Sequence, residues 1–108
     1  MIELLVYGQK GTYTKFCQGC GKSLSIGEAV LYFRRILTRR FPNRHVVVQF
    51  VDVFNPRHHS RGSAEILSMA HRNSSALPII TLNGEIVSMG DLDVKNVLGK
   101  LDTALDKA

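Results

Sequence analysis

The sequence predicts a single α/β domain, residues 1–108, in which a four-stranded mixed sheet carries helices on both faces. Short apolar runs alternate with segments whose apolar residues recur every three or four positions, and an Asn-Gly pair separates two further short runs. The resulting order is strand, helix, strand, helix, hairpin, helix. In this order the first two strands can pair in parallel through a right-handed crossover, and the chain length is typical of one domain.

The first half of the chain contains two strands and one helix. Ile2–Tyr7 is a short apolar run and predicts a buried strand. Ser25 and Glu28 have the spacing of a capping box, in which each side chain accepts a hydrogen bond from the other residue's backbone amide, so the first helix begins there. Pro42 cannot continue that helix. The run His45–Phe54 is apolar on both alternating faces, which is typical of an interior strand covered on both sides.

The second half of the chain contains a helix, a hairpin and a last helix. Ser63–Asn73 has an apolar side and predicts a short helix. The strands Pro78–Leu82 and Glu85–Ser88 flank Asn83-Gly84, a pair that suits a type I′ turn because both residues tolerate positive φ. Asp91 can cap the final helix, whose apolar residues fall on one stripe.

Charge and hydropathy indicate which partners and which compartment to expect for this protein. The net charge is +5, and residues 10–72 hold 11 Lys and Arg against three acidic residues, a net of +8. This excess would attract acidic partners. No apolar stretch approaches the roughly 18 residues of a membrane span, and the first residues lack the basic and apolar regions of a secretory signal. We therefore expect a cytoplasmic protein without a membrane partner.

The two cysteines of the chain stand together as Cys17-Gln18-Gly19-Cys20, between the first strand and the first helix. In a reducing compartment such a pair is more often a reactive dithiol or a metal site than a structural disulfide. Lys15 and Lys22 are near in sequence, and their charge favours thiolate over thiol. The pair therefore predicts either thiol-disulfide exchange or metal binding.

Three other segments accompany the cysteine pair: a helix ending in Leu37–Asn43, a strand containing Val51–Val53, and a third strand opened by a proline in Leu77–Asn83. With the order of elements, these features resemble the thioredoxin fold, βαβαββα, over essentially the whole chain. Within that fold, the chain is most similar to the small YuzD-like family of predicted disulfide oxidoreductases. The resemblance implies a thiol-disulfide oxidoreductase that acts on protein or low-molecular-weight disulfides and thiols, without a cofactor.

The same resemblance implies the roles of individual residues. Cys17 would be the exposed attacking thiolate and Cys20 the resolving thiol, and the Leu77–Pro78 bond would be cis, with Pro78 against the cysteines. Three features depart from the family pattern: there is no tryptophan before the cysteines, Gln18-Gly19 matches neither the Gly-Pro of thioredoxins nor the Pro-Tyr of many glutaredoxins, and the helix begins five residues after Cys20. The residues implied to contact the substrate are Phe16, Gln18, Gly19, Leu77 and Pro78.

Two other functions compete with disulfide exchange. The segment 16–22 also looks like a zinc knuckle, which His58, His59 or His71 could complete, or which two subunits could share around a metal or an iron-sulfur cluster. The basic bias could serve nucleic acid, although the sequence contains no nucleic-acid-binding motif, so we expect no nucleic acid partner. Asp52 either accepts a proton from a buried thiol or ends its strand with a hydrogen bond to a neighbouring amide.

Overall fold

The structure is a computed structural model that describes residues 2–15, 21, 23–90 and 93–106. Within these residues the chain forms strands, helices and two short 3₁₀ segments, Pro56–Arg61 and Ser74–Ala76. The strands are β1 (Ile2–Gly8), β2 (Tyr13–Lys15), β3 (Ser23–Ser25), β4 (Val46–Asp52), β5 (Ile79–Leu82) and β6 (Glu85–Met89). The helices are α1 (Ile26–Arg40), α2 (Ala64–Arg72) and α3 (Val94–Asp106).

Four of the strands form one mixed sheet in the order β4-β1-β5-β6. β1 and β4 are parallel, with Ile2 opposite Val46 and Gly8 opposite Asp52. β5 runs antiparallel to β1, with Val6 opposite Ile80, and β6 runs antiparallel to β5. The predicted mixed four-stranded sheet, with a parallel first pair and an added hairpin, is confirmed.

The position of β4 within the sheet differs from the prediction. β4 was expected to be an interior strand, but it lies at one edge of the sheet. Val48 and Val51 are nevertheless buried, because helices cover both faces of the sheet and so require apolar residues on both sides of the strand. An apolar run therefore indicates that both faces of a strand are covered. It does not indicate that the strand has a neighbouring strand on each side.

The hairpin between β5 and β6 turns at Asn83 and Gly84, whose φ angles are 51° and 90°. Both values are positive, as a type I′ turn requires. The turn is also tied to β1, because the Asn83 amide donates to the Glu3 carbonyl at 2.8 Å and the Asn83 Oδ1 accepts from the Glu3 amide at 2.8 Å. This pair of bonds holds the hairpin in register with the central strand.

Helices cover both faces of the sheet, as predicted. Side chains alternate along β1, so that Leu4 and Val6 belong to one buried cluster while Leu5 and Tyr7 belong to another. The first cluster lies against α1 and α3, and it also includes Phe33, Leu37, Val97 and Leu101. The second lies against α2 and includes Ile66, Leu67 and Ala70.

The starts of α1 and α3 are defined by side-chain caps. The capping box at α1 is present, because Ser25 Oγ accepts from the Glu28 amide and the Glu28 carboxylate accepts from the Ser25 amide, both at 3.1 Å. Asp91, the predicted cap of the last helix, lies outside the described residues. At α3 the Asp93 Oδ1 accepts from the Asn96 amide at 3.1 Å, which is the cap geometry expected one residue before Val94.

No helix among the described residues is both long enough and apolar enough to cross a membrane.

Candidate functional site

The cysteine pair lies in a part of the chain that the structure does not describe. Cys17 and Cys20, the predicted catalytic residues, fall outside the described residues, as do Phe16, Gln18 and Gly19. The structure does describe the residues on either side of this segment. These flanking residues show which parts of the fold adjoin the two ends of the segment.

The segment is flanked by a pair of short strands that the sequence analysis did not predict. β2 and β3 are antiparallel, and Tyr13 is opposite Ser25 while Lys15 is opposite Ser23. The Thr14 side chain between them is buried, and its hydroxyl donates to the Leu24 carbonyl at 3.2 Å. Residues 16–22, which include both cysteines, therefore connect two adjacent paired strands.

Both ends of this strand pair are attached to the rest of the fold. The Ile26 amide at the start of α1 donates to the Thr12 carbonyl at 2.9 Å. At the other end, Lys15 forms a parallel bridge with Asp93, the cap of α3. The strand pair is thus held between the N-termini of α1 and α3, on the same side of the sheet as the larger buried cluster.

Pro78 lies beside this strand pair. It immediately precedes β5, it is buried, and the Leu77–Pro78 peptide bond is cis, as the resemblance to the thioredoxin fold implies. Pro78, Thr14 and Asp93 line one small apolar pocket, which is completed by Val6, Ile26, Ala29, Phe33, Ile80, Val94 and Val97. The proline and the strand that leads to Cys17 therefore share a pocket.

The two predicted substrate-contacting residues of this loop have their side chains on opposite faces of the sheet. Pro78 lines the pocket on the α1 and α3 face, whereas the half-buried Leu77 packs against the cluster under α2. The Leu77 amide donates to the Ser74 carbonyl at 3.2 Å, and the Pro78 carbonyl accepts from the Gly90 amide at 2.9 Å. Leu77 thus helps to anchor the loop, and Pro78 is the residue of the two that faces the strand pair.

Asp52 ends its strand, which is one of the two roles that the sequence allowed. Its Oδ1 accepts from the Phe54 amide at 3.0 Å, and its own amide donates to Nδ1 of His58 at 3.0 Å. The carboxyl is buried and serves the turn that follows β4. Among the described residues, these contacts account for Asp52 as a strand-ending residue.

The histidines offered as metal ligands lie around the turn after β4. His58 accepts from the Asp52 amide, and Nε2 of His59 lies 3.1 Å from the Val53 carbonyl oxygen. The rings of His59 and His71 stand edge to face, with centroids 6.1 Å apart. No group of three or more His, Cys, Asp or Glu side chains that could hold a metal ion occurs within the described part of the chain.

Comparison with known proteins identifies a family and a fold relative. No curated protein gives a significant match. The chain is similar to the crystal structure of SA0789, a protein of unknown function from Staphylococcus aureus, with a TM-score of 0.63 and 18% sequence identity over 99% of this chain and 94% of that one. At this identity the likeness concerns the fold alone. A family model described as a protein of unknown function, DUF1462, matches residues 5–102, and the chain therefore belongs to the DUF1462 family.

Proposed function

We propose that this protein is a thiol-disulfide oxidoreductase of thioredoxin-like fold, in which Cys17 and Cys20 form the reactive dithiol. The observation that carries the proposal is the position of the β2–β3 pair. Its strands flank the cysteine segment, and β2 both bridges to Asp93, the cap of α3, and contributes Thr14 to the pocket that Pro78 and Asp93 also line. Cys17 follows Lys15 by two residues, a reach of at most about 7 Å along an extended chain. Chemistry at Cys17 would therefore take place close to the β2–β3 pair and the pocket of Pro78.

The residues near the cysteine segment also carry positive charge, which suits a reactive cysteine. Lys15 is exposed at the end of β2, and the segment 10–72 has a net charge of +8 from 11 Lys and Arg against three acidic residues. Positive charge near a cysteine favours its thiolate, which is the nucleophile in disulfide exchange. The same charge favours encounter with acidic partners.

The proposed reaction needs no cofactor. The Cys17 thiolate attacks one sulfur of a partner disulfide, the partner's S–S bond breaks, and one partner thiolate leaves as the mixed disulfide forms. The Cys20 thiolate then attacks the Cys17 sulfur, which releases the second partner thiolate and closes the Cys17–Cys20 disulfide. Two electrons pass from this protein to a partner that is a protein disulfide or a low-molecular-weight disulfide. The assignment of attacker and resolver comes from the resemblance to the thioredoxin fold, and we propose a cytoplasmic setting in which the dithiol can be regenerated.

Thiol trapping across a series of glutathione redox buffers tests the proposal. We expect the wild-type protein to interconvert reversibly between a dithiol and an intramolecular disulfide. Cys20→Ser should accumulate a mixed disulfide on Cys17, and Cys17→Ser should accumulate none. The double variant Cys17→Ser/Cys20→Ser, measured by circular dichroism, serves as the control for folding.

Metal analysis of the same preparation tests the rival function. A metal ion bound at one equivalent per two or four thiols, together with the absence of a reversible disulfide, would reject exchange in favour of a metal or iron-sulfur site. Metal-free protein with a reversible disulfide would reject that rival. Equal mixed-disulfide yields from Cys17→Ser and Cys20→Ser would contradict the assignment of the two roles.

A further inference from the structure

The outer edge of β4 presents the backbone groups of alternate residues. In a strand, the N–H and C=O of one residue point to the same side, and successive residues point to opposite sides. Just after β4, the Val53 amide donates to the Gly8 carbonyl of β1 at 3.0 Å. Just before β4, the His45 carbonyl accepts from the Ile2 amide of β1 at 2.8 Å. The odd-numbered residues of β4 therefore face β1. The even-numbered residues of β4 therefore face outward.

Three successive outward-facing residues are each contacted by a side chain from another element. Arg34 of α1 donates from Nη2 to the Val48 carbonyl at 2.7 Å. Arg61, at the end of the 3₁₀ segment, donates from Nη1 to the Phe50 carbonyl at 3.2 Å. The Asp52 amide donates to Nδ1 of His58 at 3.0 Å. The edge is thus covered by side chains along much of its length.

The sequence of β4 explains why such a cover matters. Residues 46–51 read Val-Val-Val-Gln-Phe-Val, a segment with strong β propensity and with no charge or proline. Segments of this kind pair readily with other strands when they lie at an exposed edge. The opposite edge, β6, has five residues and a register irregularity opposite Ile80 and Thr81, features that themselves discourage pairing.

We propose that Arg34 and Arg61 keep the outer edge of β4 closed against pairing with β4 of a second copy of the chain. Each guanidinium already donates a hydrogen bond to a backbone carbonyl with which the amide of an incoming strand would have to pair. Two such edges brought together would also bring the Arg34 and Arg61 guanidinium groups of both copies to the same seam, where like charges repel. A second copy is the relevant partner because antiparallel pairing of two identical edges is closed by a two-fold axis.

The test compares two double variants that remove the same charge. Arg34→Ala/Arg61→Ala removes both edge contacts, and Arg35→Ala/Arg57→Ala removes two other exposed arginines whose side chains make neither contact. Sedimentation velocity over a hundredfold concentration range, with reductant present to prevent intermolecular disulfides, measures self-association. We expect the edge variant to self-associate with a dissociation constant at least about tenfold below that of the wild type and of the control variant.

Hydrogen exchange locates the new interface. In the associated edge variant, the amides of Val48 and Phe50 should exchange at least about tenfold more slowly than in the wild type, because they would donate across the pairing. Identical association of all three proteins would overturn the proposal. Association of the edge variant without slower exchange at these two amides would overturn it as well, since the new contact would then lie elsewhere.

Discussion

The two faces of the sheet differ in how their first helices begin. On the face that packs against α1 and α3, α1 is started by its own residues, because Ser25 and Glu28 cap each other three positions apart. On the α2 face, Ser63 stands at the equivalent position, but its side chain makes no capping bond. Its backbone amide instead donates at 2.9 Å to the hydroxyl of Tyr7, 56 residues earlier. One helix start is local, and the other depends on the folded sheet.

A glycine shows the same dependence on the α2 face. At Gly62 an added Cβ would lie 2.5 Å from Cε2 of Tyr7 and 2.8 Å from its hydroxyl oxygen. The turn into α2 can approach the tyrosine this closely only because residue 62 has no side chain. The start of α2 therefore needs both the tyrosine on β1 and the glycine beside it.

The largest expected effect concerns the α1 and α3 face. Phe33→Ala should lower the free energy of unfolding by about 3–5 kcal/mol, because the side chain is buried and its removal leaves a cavity. Leu31→Ala on the same helix is the matched control: Leu31 is 55% exposed, and its loss should change stability by at most about 0.5 kcal/mol. Urea unfolding under reducing conditions measures both. Equal costs would mean that this face is not packed as described.

The next largest effect concerns the close approach of Gly62 to Tyr7 on the α2 face. Gly62→Ala should cost about 1–3 kcal/mol, because the added methyl group forces Tyr7 or the turn to move. Gly99→Ala is the control within α3, where an added Cβ would meet no described atom within 4 Å apart from the adjoining residues and backbone of its own helix, and it should stabilise the helix by roughly 0.5–1 kcal/mol. Thermal unfolding should therefore give shifts of opposite sign. A stabilising Gly62→Ala would contradict the close approach to Tyr7.

A smaller effect tests the two helix starts directly. Ser25→Ala removes a side-chain acceptor from the capping box and should cost about 1 kcal/mol. Ser63→Ala should be nearly neutral, because the Ser63 side chain makes no cap bond and its amide remains available to Tyr7. Urea unfolding of the two variants side by side gives the difference. Matching losses would show that the two starts are not distinct in the way we describe.

The smallest expected effect lies at the surface between α1 and α3. Arg40 and Asp102 form an ion pair whose side chains are 45% and 44% exposed. Because exposed pairs are screened by solvent, Asp102→Asn should cost at most about 0.5 kcal/mol, and the loss should vanish near about 1 M salt. Unfolding at low and high salt measures this. A loss that persists unchanged in high salt would indicate that Asp102 acts through something other than its charge.

The sequence predicted best the features that short segments specify by themselves. The Asn83-Gly84 turn and the α1 capping box each depend on residues within a few positions of one another, and both are confirmed. β2 and β3 escaped prediction because three residues are too few to show a period-two pattern. Their pairing is visible only when residues eight to twelve positions apart are brought together, as Thr14 and Leu24 are.

Some features of the candidate site were likewise predicted from the sequence, and others were not. The cysteine spacing indicated the chemistry that we propose, and the resemblance to the thioredoxin fold implied a cis Leu77–Pro78 bond, which the structure has. The sequence did not reveal that Asp93 would cap α3 and bridge to Lys15, nor that Leu77 and Pro78 would place their side chains on opposite faces. The Lys15–Asp93 bridge joins distant parts of the chain, and the faces on which Leu77 and Pro78 lie are defined by elements from other parts of the chain.

The sequence by itself determined the order of the four strands of the main sheet and the three helices, the α/β class and the start of α1, because apolar periodicity, turn residues and capping side chains act over a few positions. Only the tertiary structure decided that β4 lies at an edge, that Tyr7 supports the start of α2, and that Pro78 shares a pocket with Thr14. The physical reason is that these arrangements arise when the two faces of one sheet are packed at once, and no local segment carries the information for that packing.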